Sequence, residues 1–206
     1  MDIDVYDIYM SDGEDYIYCY QGTKVLKNIL DIKNSNVLKS MENKLVTTNQ
    51  IILLSRPITD LSENGFKKIH NFLFKDIYKF AGKYRNVNIS KGSTNFCRHE
   101  YINTQMKEIF QKLKNDNYLK NLPKNEFIKK ITDFFADINA IHPFREGNGR
   151  ALREYIRILA LESGYRINLE EFCELNIDDY VEACIVSIYA NEELLEKLFG
   201  KLFADV

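Results

Sequence analysis

Apolar residues recur at intervals of three and four along much of this chain. Phe66, Ile69, Leu73, Ile77 and Phe80 form one such stripe, closed by Gly82. Ile102, Met106, Ile109 and Leu113 form a second. Phe127, Ile131, Phe134, Ile138 and Ile141 form a third, with Pro123 and Asn125 marking its start. Leu152, Tyr155, Ile156 and Leu159 follow, ended by Gly164, and the tail carries Leu194, Leu195, Leu198, Phe199 and Leu202. This is the spacing of amphipathic helices with one face turned to a core. Arg85 to Cys97 differs. Val87 and Ile89 alternate with Asn86, Asn88 and Ser90, then Lys91-Gly92-Ser93 leads into Thr94–Phe96. Alternation around a glycine turn predicts a short β-hairpin. Two strands alone are marginal in water, so the hairpin is either packed down or kept for a partner. The expected architecture is all-α with one small β flap.

Composition adds limits. The chain has 206 residues, enough for one good core, with 45% apolar and 28% charged residues. With 9 glycines and 3 prolines, long helices are favoured over many short strands. A net charge of −2 provides no basic field for nucleic acid. No stretch approaches 18 uninterrupted apolar residues, so no membrane span is expected. The acidic start, Met1-Asp2-Ile3-Asp4, lacks an apolar leader segment. Cys19, Cys97, Cys173 and Cys184 show no C-x-x-C spacing, and the expectation is reduced thiols in a cytosol.

The chemistry gathers in His142-Pro143-Phe144-Arg145-Glu146-Gly147-Asn148-Gly149-Arg150-Ala151-Leu152-Arg153. A helix should end near Ile141, because the residue before a proline is pushed out of the α region. The next should begin near Asn148. Gly147 and Gly149 around Asn148 allow a tight turn whose N–H groups point into one concavity, an anion nest at a helix N-terminus. In the new helix Leu152, Tyr155, Ile156 and Leu159 share one side. Arg150, Arg153 and Arg157 fall on the other, within about 60° of each other. Arginines in a first turn oppose the helix dipole by a few tenths of a kcal/mol each, and a bound polyphosphate reverses that sign. Glu146 would repel phosphate unless Mg²⁺ bridged them. His142 is the side chain suited to proton transfer near neutral pH. A lone histidine, a G-N-G turn or arginines on one helix face each have ordinary structural explanations. Their coincidence in one short stretch points to phosphoryl or nucleotidyl transfer, and neither a P-loop nor a kinase-like glycine loop is present.

This segment resembles the Fic motif, H-x-F-x-[DE]-G-N-G-R-x-x-R, at every defined position. The likeness extends to His70-Asn71-Phe72-Leu73-Phe74, Ile77-Tyr78, Phe80-Ala81-Gly82 and Arg85–Gly92. It also takes in Tyr18-Cys19-Tyr20 and Val25-Leu26-Lys27-Asn28, and spans about residues 15 to 200. The resemblance implies a Fic-type helical bundle, with residues 1–60 as an N-terminal helical extension packed on a 61–206 Fic domain in one folding unit. It implies a protein adenylyltransferase of bacterial cytoplasm, a toxin-like enzyme for which delivery into another cell is compatible. ATP is then the substrate, Mg²⁺ the cofactor and a hydroxyl side chain of a target protein the acceptor.

Residue by residue, the resemblance implies that His142 is the base on the hydroxyl and Glu146 holds Mg²⁺ between α- and β-phosphates. Gly147, Asn148 and Gly149 stabilise phosphate charge, Arg150 and Arg153 bind the β- and γ-phosphates, and Phe144 anchors the loop. Asn86, Val87, Asn88, Ile89, Ser90, Lys91 and Gly92 become the flap that pairs with the target's backbone. Doc kinases carry lysine in place of the second glycine, so Gly149 favours AMP over phosphate transfer. Transfer of UMP, phosphate or phosphocholine from the same site is the alternative, and a non-catalytic helical interaction module the other. His70 and His99 are read as structural or surface residues.

Relatives are often restrained by [ST]-x-x-x-E-[GN], whose glutamate pairs with the second motif arginine, here Arg153. The literal pattern runs from Thr59 to Asn64 and offers Glu63, but there Thr59 or Ser62 suits an ordinary helix N-cap better. Ser187 to Glu193 is a looser candidate. Asn191 holds the key position, so Glu192 or Glu193 would have to act, with Tyr189 exposed to self-modification. An antitoxin protein in trans is the other expectation.

Overall fold

A computed structural model describes residues 10–11, 15–168, 171 and 174–206. The helices are α1 (Ser35–Ser55), α2 (Glu63–Phe74), α3 (His99–Asn115), α4 (Lys124–Ile141), α5 (Asn148–Glu162), α6 (Ile177–Ser187) and α7 (Glu193–Leu202). The strands are β1 (Met10–Ser11), β2 (Ile89–Lys91), β3 (Thr94–Asn95), β4 (Tyr165–Ile167) and β5 (Phe203–Asp205). Among the described residues the architecture is helical, as the spacing predicts, with two small antiparallel sheets ordered β1-β2-β3 and β4-β5. No described helix is long and apolar enough to cross a membrane. Cys19, Cys97 and Cys184 are not disulfide-bonded, and Cys173 lies outside the described residues.

α4 runs through the middle and meets α3, α5, α6 and α7, while α2 meets α1, α3 and α5. At the centre the Tyr155 ring lies 5.5 Å from Phe66, 5.6 Å from Phe110 and 5.5 Å from Phe134. Its hydroxyl donates to Leu61 O at 2.6 Å, so the buried phenol keeps a partner.

Three elements depart from the apolar pattern. α1 buries Leu38, Glu42, Val46, Asn49 and Leu53 at intervals of three and four, and two of those five are polar. A search for apolar stripes passes over it. α2 stops at Phe74, short of the Ile77 and Phe80 that continue its spacing. The chain then folds back: Asn71 Nδ2 donates to Ala81 O at 3.0 Å, and Gly82 N–H donates to His70 Nδ1 at 2.9 Å. Gly82 takes φ 77° there, a conformation glycine adopts without strain. α6 was not anticipated either. It is capped by Asn176, whose side chain accepts from Asp178 N, and it packs on α4 and α7.

Candidate active site

His142 is the C-cap of α4, with φ 51° and ψ 62°. A left-handed non-glycine residue carries a local penalty, and the surroundings have to hold it there. Arg85 does so. Its buried guanidinium donates to His142 O at 2.9 Å, Ile141 O at 3.0 Å, Val87 O at 2.6 Å and Cys97 O at 2.5 Å. Its backbone N–H donates to Pro143 O at 2.8 Å. Burial lowers this guanidinium to a pKa of about 10, still charged at neutral pH. A cation among carbonyls at the negative end of α4 is well placed.

The imidazole is oriented from two sides. The Phe96 ring stacks on it at 3.9 Å. His142 Nδ1 lies 3.1 Å from Asn139 O. A carbonyl only accepts, so Nδ1 carries the proton and the basic lone pair is on Nε2.

The rest of the loop is braced by groups outside the motif. His70 accepts from Gly82 N–H at Nδ1, so its Nε2–H donates to Glu146 O at 2.9 Å. Its ring stacks on the buried Phe144 at 3.7 Å. Burial lowers its pKa to about 3, so it stays neutral and fixed in this tautomer. His70 is therefore a structural brace. Asn148 Oδ1 accepts from Phe144 N at 2.7 Å and its Nδ2 donates to Phe144 O at 2.8 Å, which closes the loop on itself. Gly147 has φ 80°, and a Cβ there would sit 2.1 Å from Phe74 Cζ. No side chain fits. Arg145, at an undefined motif position, is buried with its guanidinium over the Tyr18 ring.

His142, Glu146, Asn148, Gly149 and Arg153 line one cavity of about 310 Å³. Its roof is the flap from Lys91 to Thr94 with Phe96, and its far wall is α6. Glu146 Oε1 accepts from Gly147 N–H at 2.9 Å, so a carboxylate already sits at the nest.

Arg150 is engaged inside the fold. The resemblance assigns it to phosphate, but its guanidinium is buried at 2.5 Å from Glu42 of α1, 3.6 Å from Glu146 and over the Phe74 ring. It does not line the His142 cavity. Glu42 also accepts from the Tyr78 hydroxyl. Arg150 thus ties α1, α2 and α5 together.

The flap also differs in detail from expectation. Val87 and Ile89 are buried, and Asn88 Oδ1 accepts from His99 N at 2.9 Å, which starts α3. β2 pairs with β3 on one side, and on the other with the chain's own β1, Met10 opposite Ser90 and Ser11 opposite Ile89. Gly92, at φ 56°, occupies the first position of the two-residue turn.

The three inhibitory glutamates are placed elsewhere than on Arg153. Glu63 pairs with Lys67 at 2.6 Å and Tyr84 at 3.1 Å in the first turn of α2, and Ser62 is that helix's N-cap. Glu192 hydrogen-bonds Asp133 of α4, and burial first, then that carboxyl, raises its pKa to about 7. Glu193 lies in a shallow groove with Lys124 and Asn125. Ser187 donates to Cys184 O at 2.9 Å inside its own helix.

Residues 60–160 match the sequence profile of the Fic/DOC family. A probable protein adenylyltransferase of Sinorhizobium fredii is 35% identical over 73% of this chain and 78% of its own length. The chain belongs to the Fic/DOC family. The protein adenylyltransferase VbhT of Bartonella schoenbuchensis is 35% identical over 92% of this chain, which spans 39% of that longer protein. Among solved structures, BepC of Bartonella tribocorum with bound AMPPNP superposes with a TM-score of 0.83 at 25% identity, covering 95% of this chain and all of that one. The helical bundle is thus the Fic fold. Sequence reasoning missed Arg85, Glu42 and the bracing role of His70, which act through distant carbonyls and one buried ion pair.

Proposed function

We propose that this chain is a protein adenylyltransferase that moves AMP from ATP to a hydroxyl of a target protein. The observation that carries the reading is the His142 tautomer: a proton on Nδ1 held by Asn139 O and a basic Nε2, in the cavity that also holds Glu146 and Arg153. The relatives named protein adenylyltransferase and the AMPPNP bound to BepC support it.

In this reading the acceptor hydroxyl gives its proton to His142 Nε2 as its oxygen attacks the α-phosphorus. The bond from that phosphorus to the β-phosphate's bridging oxygen breaks, and pyrophosphate leaves. Catalysis of this kind is mostly positioning and charge stabilisation. The N-terminus of α5 at Asn148 and Gly149 faces the phosphates, and Arg153 takes the terminal ones. Glu146 is a single hard carboxylate at the cavity edge with one oxygen on Gly147 N–H, a donor of the kind Mg²⁺ prefers, and it would hold that ion. Mg²⁺ bound there would offset the charge of the leaving pyrophosphate.

The target docks by adding a strand to the flap. The β2 edge is held by Met10–Ser11, so the target exchanges places with the chain's own strand. For regulation, the cleft of about 580 Å³ beside Arg153, lined by Thr47, Gln50, Leu54 and Arg157, offers a site to an inhibitor protein in trans.

The test is a lysate incubated with the protein, Mg²⁺ and ATP labelled at the α- or the γ-phosphate. Label reaching protein from the α position alone is expected. Label from the γ position alone makes the enzyme a kinase.

A further inference from the structure

Tyr180 lies on α6, outside the motif, and is buried. It lines two cavities at once, the one that holds His142 and the cleft toward α1, and Arg153 is the charged motif residue it shares with both. With Phe135, which also lines both, the two side chains stand between the cavities. The Tyr180 phenol interacts with the Arg153 guanidinium and with the Cys184 thiol one turn along. The order is set by chemistry. A guanidinium has no acceptor, so the phenol oxygen accepts from Arg153, and its O–H is left to donate to sulfur.

We infer that Tyr180 is a positioning residue that aims the Arg153 guanidinium at the terminal phosphates of the nucleotide. This rests on the nucleotide reading of the His142 cavity. A neutral phenol suits the task better than a carboxylate. It takes one N–H and fixes the plane of the fork, but leaves the positive charge in place for phosphate. Burial pushes the Tyr180 phenol well above its ordinary value and raises the Cys184 thiol to about 11, so both stay neutral at physiological pH.

α6 is itself registered to the catalytic loop. Asn139 Nδ2 donates to Cys184 O at 2.8 Å, while the backbone oxygen of the same asparagine takes the His142 Nδ1 proton. One residue of α4 therefore sets both the histidine and the helix that carries Tyr180. The clamp on the terminal phosphates and the base that acts at the α-phosphorus share a single reference point.

The test is titration calorimetry of AMP and ATP against wild type, Tyr180→Phe, Arg153→Ala and the double variant, with melting temperatures as a fold control. Losing a hydrogen bond to a charged partner corresponds to about tenfold in affinity. Tyr180→Phe should weaken ATP by about tenfold and leave AMP unchanged, and in the Arg153→Ala background it should have no further effect. Equal weakening of AMP and ATP makes Tyr180 a mere wall of the cavity and overturns the inference. So does the same loss of ATP affinity in the Arg153→Ala background, or no loss of ATP affinity when Tyr180→Phe is made alone. A wild type that binds neither nucleotide sinks the reading of the cavity, and this inference with it.

Discussion

Arg85 Nε donates to the carbonyl oxygen of His142 at 2.9 Å, so the root of the flap and the proposed base are held by one side chain. The same guanidinium serves three further carbonyls, two of them on the flap segment. Lysine has three donors on a point charge and cannot span that set. Arg85→Lys should cost about 2–4 kcal/mol, because buried carbonyls lose their donors. Transfer should fall on the order of a hundredfold through misplacement of His142, with ATP affinity changed far less. Thermal melts and parallel transfer and binding assays check this. Unchanged transfer would show that the His142 conformation is held by other contacts.

Gly147 meets both limits on a side chain, a φ of 80° and a phantom Cβ 2.1 Å from Phe74 Cζ. Gly147→Ala should lose about 3 kcal/mol from strain and overpacking together. Adding Phe74→Leu should recover the overpacking part and leave the backbone part. Equal melting temperatures for the single and double variants would put the whole cost in the backbone.

Much of this was legible in the sequence. The five stripes mark helices because their buried positions are apolar, and the motif is legible because its parts are contiguous. α1 stayed hidden because Glu42 and Asn49 stand in its buried stripe, satisfied by Arg150 and by Leu73 O and Asp76. α6 stayed hidden because apolar residues such as Val181 and Ile185 also line the cavity, which blurs a one-sided pattern. No spacing rule connects His70 to the Glu146 carbonyl or Arg85 to that of His142. The engagement of Arg150 within the fold was not legible for the complementary reason. Its side of the helix is right for a ligand, but a partner from α1 has claimed it.

The Glu192 carboxyl, raised to about 7 by burial and by Asp133, gives a pH test of the α6–α7 turn. The folded chain holds a proton that the unfolded chain releases. That contribution is complete below the ordinary carboxylate value of 4.5 and is lost as pH rises through about 7. Glu192→Gln should therefore show a shallower fall in melting temperature than wild type from pH 4.5 to 7. Parallel curves would place the Glu192 proton elsewhere. Neither Glu192→Gly, Glu193→Gly nor Glu63→Gly should activate transfer.

Met10–Ser11 holds the β2 edge that the proposed target strand needs. So short a strand is marginal, with ladder bonds worth about 0.5–1.5 kcal/mol each. Deleting residues 1–11 should raise target modification by roughly three- to tenfold and leave ATP affinity unchanged. A slower truncated enzyme with intact ATP binding would mean that β1 supports the flap rather than competing for it.

The central claim is that His142 Nε2 takes the acceptor's proton, and His142→Ala tests it most directly. The rate of α-label transfer from ATP to protein should be measured beside the ATP dissociation constant. Removing a general base costs about 10²–10⁴-fold in rate. The account predicts that loss with ATP binding within a few-fold of wild type. Retained transfer, or ATP affinity that falls in step with the rate, would contradict it.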